Sequence, residues 1–505
     1  MVDSGKLWKM IEFNKPEAIN RLGDTIFVSE KARKLDPSEY EIILDDPGLC
    51  GKNFAITLDP LSGSIITYAD RQADKTDISL SGNCGSGRAV YYGDRYNILG
   101  VGKTSLCMST KPSHSTGRIE LIGAMRRVIV SNWINQIVPG RAPKHPVLIA
   151  LKEERKYKWN SDPIPSTLLV RVDEGSLDRP SHIEFNSKIP IDFKNILTEY
   201  VKIDAEYLSY RMMLGAWSNG NYSIRGQIID IETVSFVRFR APYYTSTSKY
   251  VANLFGYEGH GFISILKQLA AVKNIPTDHI EIDFWKERQR HLSTCFLKLI
   301  GIDVTEITSL NYKYLKKIHS LSIIFESLSK KISSCKSILK TYVQIPEESE
   351  PSLLDMSRLF RNLSTILTHK NREDLASDLL IRKHVVGSIL NLKSCDYKFS
   401  SNKQTSVHNF ITCHATISND KLDNFLQETR GFIRDLLLFL DVVKSDGYLT
   451  DTNSWYKRLQ RSNFDLPTMF ELNTILARLT ERYRDGSINA TELGHKIRNL
   501  SNLPS

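Results

Sequence analysis

The feature that most constrains this chain is a change in its hydrophobic period near residue 195. From about Phe13 to Val170, short β-branched or aromatic runs alternate with Gly, Asn, Asp and Pro, the pattern of strands joined by tight turns. Ser64–Tyr68, Arg88–Tyr92 and Ser166–Val172 are such runs. Beyond about Asn195 the apolar residues recur at helical spacing, as in Ser320–Leu339, Leu353–Leu367 and Leu422–Val443. One helix is expected inside the β-rich part, between Ile119 and Val138. Leu121, Ile122, Met125, Ile129, Trp133 and Ile137 share a helical face there, and Pro139-Gly140 supplies the stop. The order predicts an α+β protein with a β-rich first lobe and a helical remainder.

A chain of 505 residues exceeds what one hydrophobic core usually serves. Three parts are expected: 1–195, a β-rich lobe carrying Gly-rich loops; 196–302, a part broken near Asn219–Tyr244 by a loop and short hairpin; and 303–505, a helical region with a linker at Ile345–Pro351. The net charge of +10 is spread among acidic residues, so composition does not indicate a nucleic-acid surface. The seven cysteines, Cys50, Cys84, Cys107, Cys295, Cys335, Cys395 and Cys413, form no CxxC pair, which suits reduced thiols in a cytoplasm. The N-terminus has no apolar signal core, and the longest apolar run, Leu436–Leu440, is too short to span a bilayer. A cytoplasmic protein without a membrane span is the expectation.

Two glycine-rich stretches lie close together, Gly82–Arg88 and Gly100–Thr104. At Gly85, Gly87, Gly100 and Gly102 the backbone N–H groups can approach phosphate oxygens, with Arg88, Lys103 and Thr104 adding charge and a hydroxyl. The same glycines equally suit tight turns between strands. The second stretch is not a Walker A loop, because Asn97 stands where its first glycine would fall. A third phosphate candidate is Gly117 with Arg118, just before the expected helix N-terminus.

Asn221 and Asp230 flank a short hairpin-like run, and an amide oxygen with a carboxylate is the ligand pair by which kinase-type sites hold Mg²⁺. A structural hairpin would carry the same residues. Arg171 and Arg179 bracket an acidic turn, Asp173–Asp178. They can clamp a phosphate or pair with those carboxylates.

In order, these segments resemble the selenoprotein O (YdiU) family, which has a protein-kinase-like bilobal fold and transfers AMP from ATP to protein side chains. Asn83–Ala89 looks like the family's QLGDGRA stretch, and Leu99–Thr104 looks like LKGSGRT with one residue fewer. Ser115–Ile119, followed by Met125-Arg126-Arg127, is similar to GDGRA and its LRE helix. Arg171 and Arg179 stand for the paired arginines of RVAxSHIR, one residue further apart, and Leu214–Thr233 resembles HGVxNTDNxSIxGxxIDYGP. The resemblance implies ATP and Mg²⁺ as cofactors, with Asn221 and Asp230 on the metal. It gives catalytic and nucleotide-holding roles to Arg171, Arg179 and Lys103.

The departures are as informative. The family's ATP-binding lysine falls on Leu99, its helix-borne glutamate on Arg127, its phosphate-loop aspartate on Thr116 and its catalytic base on Gly220. Losing the lysine and glutamate together is self-consistent, since either alone would be a buried unpaired charge, and Lys103 or Arg127 can take over phosphate neutralisation. A hydroxyl nucleophile needs a base, whereas a carboxylate is already ionised at neutral pH. Retained metal ligands beside a missing base therefore suit adenylation of a carboxylate.

The chain also resembles the MchC/MceJ-type maturation proteins of siderophore microcins. They act with a small acyltransferase-like partner to join a glucosylated catecholate siderophore to the C-terminus of a microcin precursor peptide. The alternatives are a catalytically inactive pseudokinase scaffold and an AMPylase acting on hydroxyl side chains.

Overall fold

The structure is a computed structural model of the chain. It describes residues 17–22, 26–58, 64–67, 89–92, 95–102, 116–156, 162–173, 179–180, 183, 190–214, 220–231, 234–236, 254–303, 312–330, 354–381, 419–449, 451–463, 466–467 and 469–503. The protein is α+β, with a sheet-forming first part and a helical C-terminal part.

The sheet is assembled from β1 (Glu17–Leu22), β2 (Ile26–Lys34), β3 (Tyr40–Asp45), β4 (Ile56–Leu58), β5 (Ser64–Thr67), β6 (Ala89–Tyr92), β7 (Tyr96–Leu99), β8 (Ile119–Glu120), β9 (Val147–Arg155) and β10 (Ile164–Val172). Its order is β3-β9-β10-β7-β6-β1-β2-β4, with β5 on β2 and β8 on β10. Every described pair in this sheet is antiparallel; β1–β2, β6–β7 and β9–β10 are neighbours in sequence, as the alternating runs predict, while the other pairs join strands further apart along the chain.

The central strands are apolar on both faces, and the period of two explains why. On β9, Leu148 and Ala150 join the large core beneath the sheet. Val147, Ile149 and Leu151 point the other way, into a smaller cluster with Phe54, Ile56, Leu168 and Val170. The expected helix is present as α1 (Leu121–Ile137), and it lies against the large-core face. It is buried nearly all round, Arg126 and Arg127 included, which is why its apolar pattern runs wider than one stripe.

Helix α2 (Phe193–Tyr210) begins at Asp192, whose side chain accepts from the Asn195 N–H, and ends at Arg211 with φ 59°. A two-stranded sheet of β11 (Met212–Leu214) and β12 (Val234–Phe236) follows. The helical part then comprises α3 (Leu254–Val272), α4 (Ile280–Leu299), α5 (Tyr312–Lys330), α6 (Met356–Arg361), α7 (Leu363–Ile366), α8 (Arg372–Leu380), α9 (Asn419–Ser445), α10 (Thr452–Ser462), α11 (Met469–Arg484) and α12 (Ala490–Ser501).

A buried guanidinium fixes the centre of this part. Arg288 of α4 reaches both Asp204 of α2 and Glu326 of α5, with its guanidinium carbon 5.3 Å from the Trp285 ring centroid. The expected single helix over Leu353–Leu367 is instead two short ones. Asn362 ends α6, its backbone N–H bonding to Leu359 and its side chain donating to the Arg358 carbonyl at 2.7 Å. Among the described residues no helix is long and apolar enough to cross a membrane.

The last two helices do not stay with the helical part. They pack back onto α1, and α12 also covers β3. The Trp133 indole N–H donates to the Leu500 carbonyl at 2.8 Å, and the Gln136 amide donates to Ser501 at 2.7 Å. Gly494 lets α12 sit directly on β3, since a Cβ there would lie 2.2 Å from the Ile43 carbonyl oxygen. Helix propensity alone favours Gly494→Ala by about 0.5–1 kcal/mol. A collision with backbone outweighs that gain. Calorimetry should therefore find Gly494→Ala less stable than the parent, by on the order of 1–3 kcal/mol.

Candidate functional site

The segment from Asn221 to Asp230 forms a closed hairpin. Tyr222 bridges Ile228, the Ser223 N–H donates to Gln227 at 2.8 Å, and the Gly226 N–H returns to Ser223 at 3.1 Å. The Ser223 hydroxyl accepts from the Gln227 N–H at 2.9 Å, tightening the turn. At the open end the Asn221 carbonyl accepts from the N–H groups of Ile229 (2.8 Å) and Asp230 (3.4 Å). This pairing sets the two residues side by side at the mouth. Tyr222 anchors the hairpin inward, 4.9 Å from the Phe262 ring, with its hydroxyl 3.2 Å from that of Tyr207.

The turn is held by Arg141, in the loop between α1 and β9. Its Nη1 donates to the Gly226 carbonyl at 2.7 Å, and its own carbonyl accepts from the Ile228 N–H at 2.9 Å. The rest of its fork binds Glu206 at 2.7 and 2.9 Å and Glu199 at 3.0 Å, both on α2. Gly226 has φ +81°, and a Cβ there would lie 2.6 Å from Arg141 and 2.8 Å from Glu199. Nothing in the local sequence pattern points to Arg141. Its partners are 58, 65 and 85 residues away along the chain.

Two arginines meet the mouth of the hairpin, one at Gly220 and one at Asp230. Arg179 Nη1 donates to the Gly220 carbonyl at 2.6 Å, and Arg127 Nη2 faces Asp230 Oδ1 at 3.4 Å. Both cations lie inside, with Arg127 3% and Arg179 7% exposed, while the Asp230 side chain keeps 28% exposure. Arg171 lies in the same neighbourhood. It is 4% exposed on β10 and donates from Nε to Asn97 Oδ1 at 2.8 Å, its register partner on β7.

His145 connects these cations. It is buried, and its Nδ1 lies 3.0 Å from the Ser131 hydroxyl, which donates to the Arg127 carbonyl at 2.6 Å. Burial first, and then the positive charges of Arg127 and Arg171, hold its pKa well below 6.5. The imidazole is therefore neutral beside two guanidiniums.

The described phosphate-loop residues gather at a separate corner. Gly100 has φ +88°, and a Cβ on it would lie 2.1 Å from the Thr167 carbonyl oxygen of β10. Gly102, also at positive φ, donates its N–H to the Gly117 carbonyl at 3.2 Å, so the second and third candidate stretches meet. Arg118 binds across this corner, to the Gly100 carbonyl at 3.0 Å, the Thr57 hydroxyl at 3.1 Å and Glu153 at 3.0 Å. Its guanidinium ties backbone and strand edges together. Gly100 follows Asn97 by three residues along β7, so the corner sits roughly 10 Å from the Arg171 pair. Gly85, Gly87, Arg88, Lys103 and Thr104 lie outside the described residues.

Among the described residues no group of three or more His, Cys, Asp or Glu can hold a metal. An ion brought by a nucleotide needs just one or two protein oxygens; Asp230, whose carboxylate is shared with Arg127, and Asn221 are the residues that would provide them. The chain matches no protein-family model, and no curated protein matches it.

The buried His145 gives a pH signature. It stays neutral in the folded state but gains a proton when unfolded, so stability is complete above about pH 6.5 and falls as pH drops below it. Thermal melts should show the parent losing more stability between pH 7.5 and pH 5 than His145→Gln, which has no titrating group. Equal losses would remove His145 from the account.

Proposed function

We propose that this chain is an ATP-using enzyme of selenoprotein O-like, protein-kinase-like organisation that transfers AMP to the C-terminal carboxylate of a peptide. The observation that carries the proposal is the convergence of Arg127 and Arg179 on one hairpin mouth, at Asp230 and at Gly220. Two guanidiniums beside one carboxylate are a charge pattern suited to a polyphosphate, whose oxygens match the planar fork. Arg171, in the same neighbourhood, adds a third fork for the phosphate chain.

The reaction class follows from Gly220. It offers no side chain to take a proton, and its carbonyl is engaged by Arg179. A peptide carboxylate needs none. Its oxygen attacks the α-phosphorus, the bond to the bridging oxygen of the β-phosphate breaks, and pyrophosphate leaves. The resulting acyl adenylate is attacked by an alcohol, which releases AMP and a proton. Mg²⁺, when bound with the nucleotide, neutralises phosphate charge, and Asp230 and Asn221 would hold it. The resemblance to siderophore-microcin maturation proteins supplies the substrates of this proposal. They are a microcin precursor peptide, a glucosylated catecholate siderophore as the alcohol, and a small acyltransferase-like partner.

A second reading is favoured by one observation: Asp230 is already paired with a buried cation. A pseudokinase scaffold would bind nucleotide and partner without chemistry. ATP labelled at the α-phosphate, mixed with the protein, peptide and partner, separates these readings. Carboxylate activation yields pyrophosphate and a hydroxylamine-labile AMP–peptide, and Arg179→Met should lower its formation on the order of a hundredfold. Hydroxyl AMPylation gives a label that hydroxylamine leaves in place. A thermal shift with ATP but no labelled product would establish the scaffold.

A further inference from the structure

We infer that α11 and α12 form a strap, closed in this structure, whose release loosens α1 and the Asn221–Asp230 hairpin together and leaves the rest of the helical part folded. The strap acts on the candidate site, so its functional meaning rests on the nucleotide reading, while its mechanics do not.

The strap begins where the chain changes sides. Helix α10 is tied to the end of α4, with the Trp455 indole N–H donating to the Ile300 carbonyl at 2.9 Å and Asn463 Nδ2 to that of Leu299 at 2.7 Å. The next two helices pack elsewhere, α11 on α1 and β12, and α12 on α1 and β3. Their own turn is closed locally. The Ile488 N–H reaches back to the Arg482 carbonyl at 3.0 Å around Gly486, whose φ is +78°, and Asn489 with Glu492 forms a capping box at the start of α12. The pair has its own internal bonds and is one contiguous unit, the kind that opens below the free energy of global unfolding.

Its docking uses a different set of contacts. Leu500 and Ser501 lie in the last turn of α12, whose carbonyls have no partner within the helix. Their partners come from α1. Trp133 Nε1 donates to the Leu500 carbonyl and Gln136 Nε2 to that of Ser501, while Gln136 Oε1 accepts from the Leu503 N–H at 3.1 Å. At the outer edge Arg484 pairs with Glu154, an exposed ion pair that contributes little. The end of α12 is thus capped by two side chains of the helix it covers, and lifting the strap uncaps it.

Trp133 carries the position of the strap to the site. It is 2% exposed and meets Phe236 of β12 edge-on, with 6.0 Å between ring centroids. β12 follows the hairpin in sequence, and Arg127, which faces Asp230, is on the same helix as Trp133. One side chain joins the end of α12 to both elements that frame the mouth.

Hydrogen exchange of the full chain, read by mass spectrometry without nucleotide, tests the strap. Gly494→Val sets a branched side chain against the Ile43 carbonyl and wedges α12 off β3. Exchange should quicken by about tenfold or more in 469–501, 121–137 and 221–230, and by less than about twofold in 280–299. Quickening confined to 469–501 overturns the coupling. Equal quickening in 280–299 shows general destabilisation and overturns the strap. Should Gly494→Val fail to fold, Trp133→Phe combined with Gln136→Ala removes the cap without a collision and is read by the same two criteria.

Nucleotide supplies the second readout. Coupling is reciprocal, so ATP with Mg²⁺ should slow exchange in 490–501 of the parent by about threefold or more, and Gly494→Val should bind ATP about tenfold more weakly. Calorimetric binding of ATP to the parent with unchanged exchange in 490–501 overturns the link from strap to site. Absence of ATP binding overturns the nucleotide reading alone, and the strap then stands or falls on the exchange pattern of the variants.

Discussion

The arrangement of the candidate site depends on Arg141. Its guanidinium is buried between the turn of the hairpin and α2, where it meets Glu206, Glu199 and the Gly226 carbonyl at once. A charge so enclosed is tolerable only when its N–H groups are matched, and breaking such a pair leaves the survivor buried and uncompensated. The network therefore admits essentially one placement of the hairpin relative to α2. The loop at 140–141 reinforces it through the Gln227 side chain on the Gly140 carbonyl and the Ile228 N–H on that of Arg141. Because the turn is pinned, the mouth at Gly220 and Asp230 is pinned as well.

From that fixed mouth the electrostatics follow. Asp230 faces Arg127 from α1, Gly220 faces Arg179, and both Arg127 and Arg171 are near enough to His145 to depress its pKa. Elsewhere the protein uses buried guanidiniums as fasteners, as Arg288 does between Asp204 and Glu326. The difference lies in the exposure of the counter-charge. Asp204 is fully buried with Arg288, whereas Asp230 reaches the surface while its arginine does not.

Much of the fold was legible because it is local. The period-two runs became strands, and the helix expected over Ile119–Val138 is Leu121–Ile137. The run around Asn221 and Asp230 is a hairpin, as its turn residues suggested. What was not legible depends on contacts distant in sequence. Gly100 must lack a Cβ because of Thr167, on the strand that pairs with β7 just before it, and a phosphate loop would have required the same residue. Arg118 stands where a phosphate ligand is expected, yet it binds Gly100, Thr57 and Glu153, none of them near it in sequence. Arg141 and His145 carry no motif at all, and their positions become meaningful only when α1, α2 and the hairpin are brought together.

Helix α1 connects these observations. On one side its register sets Arg127 against Asp230, and on the other Trp133 and Gln136 accept the C-terminal helix α12. Arg127 and Trp133 are six residues apart, about 9 Å along a helix that is buried almost throughout. Close-packed helices move as rigid pieces, so α12 and the site cannot take up independent positions. This is the physical sense in which α12 belongs with the sheet-forming part. Gly494 lets α12 close on β3, that closure seats Trp133, and the seated helix presents Arg127 to the hairpin mouth.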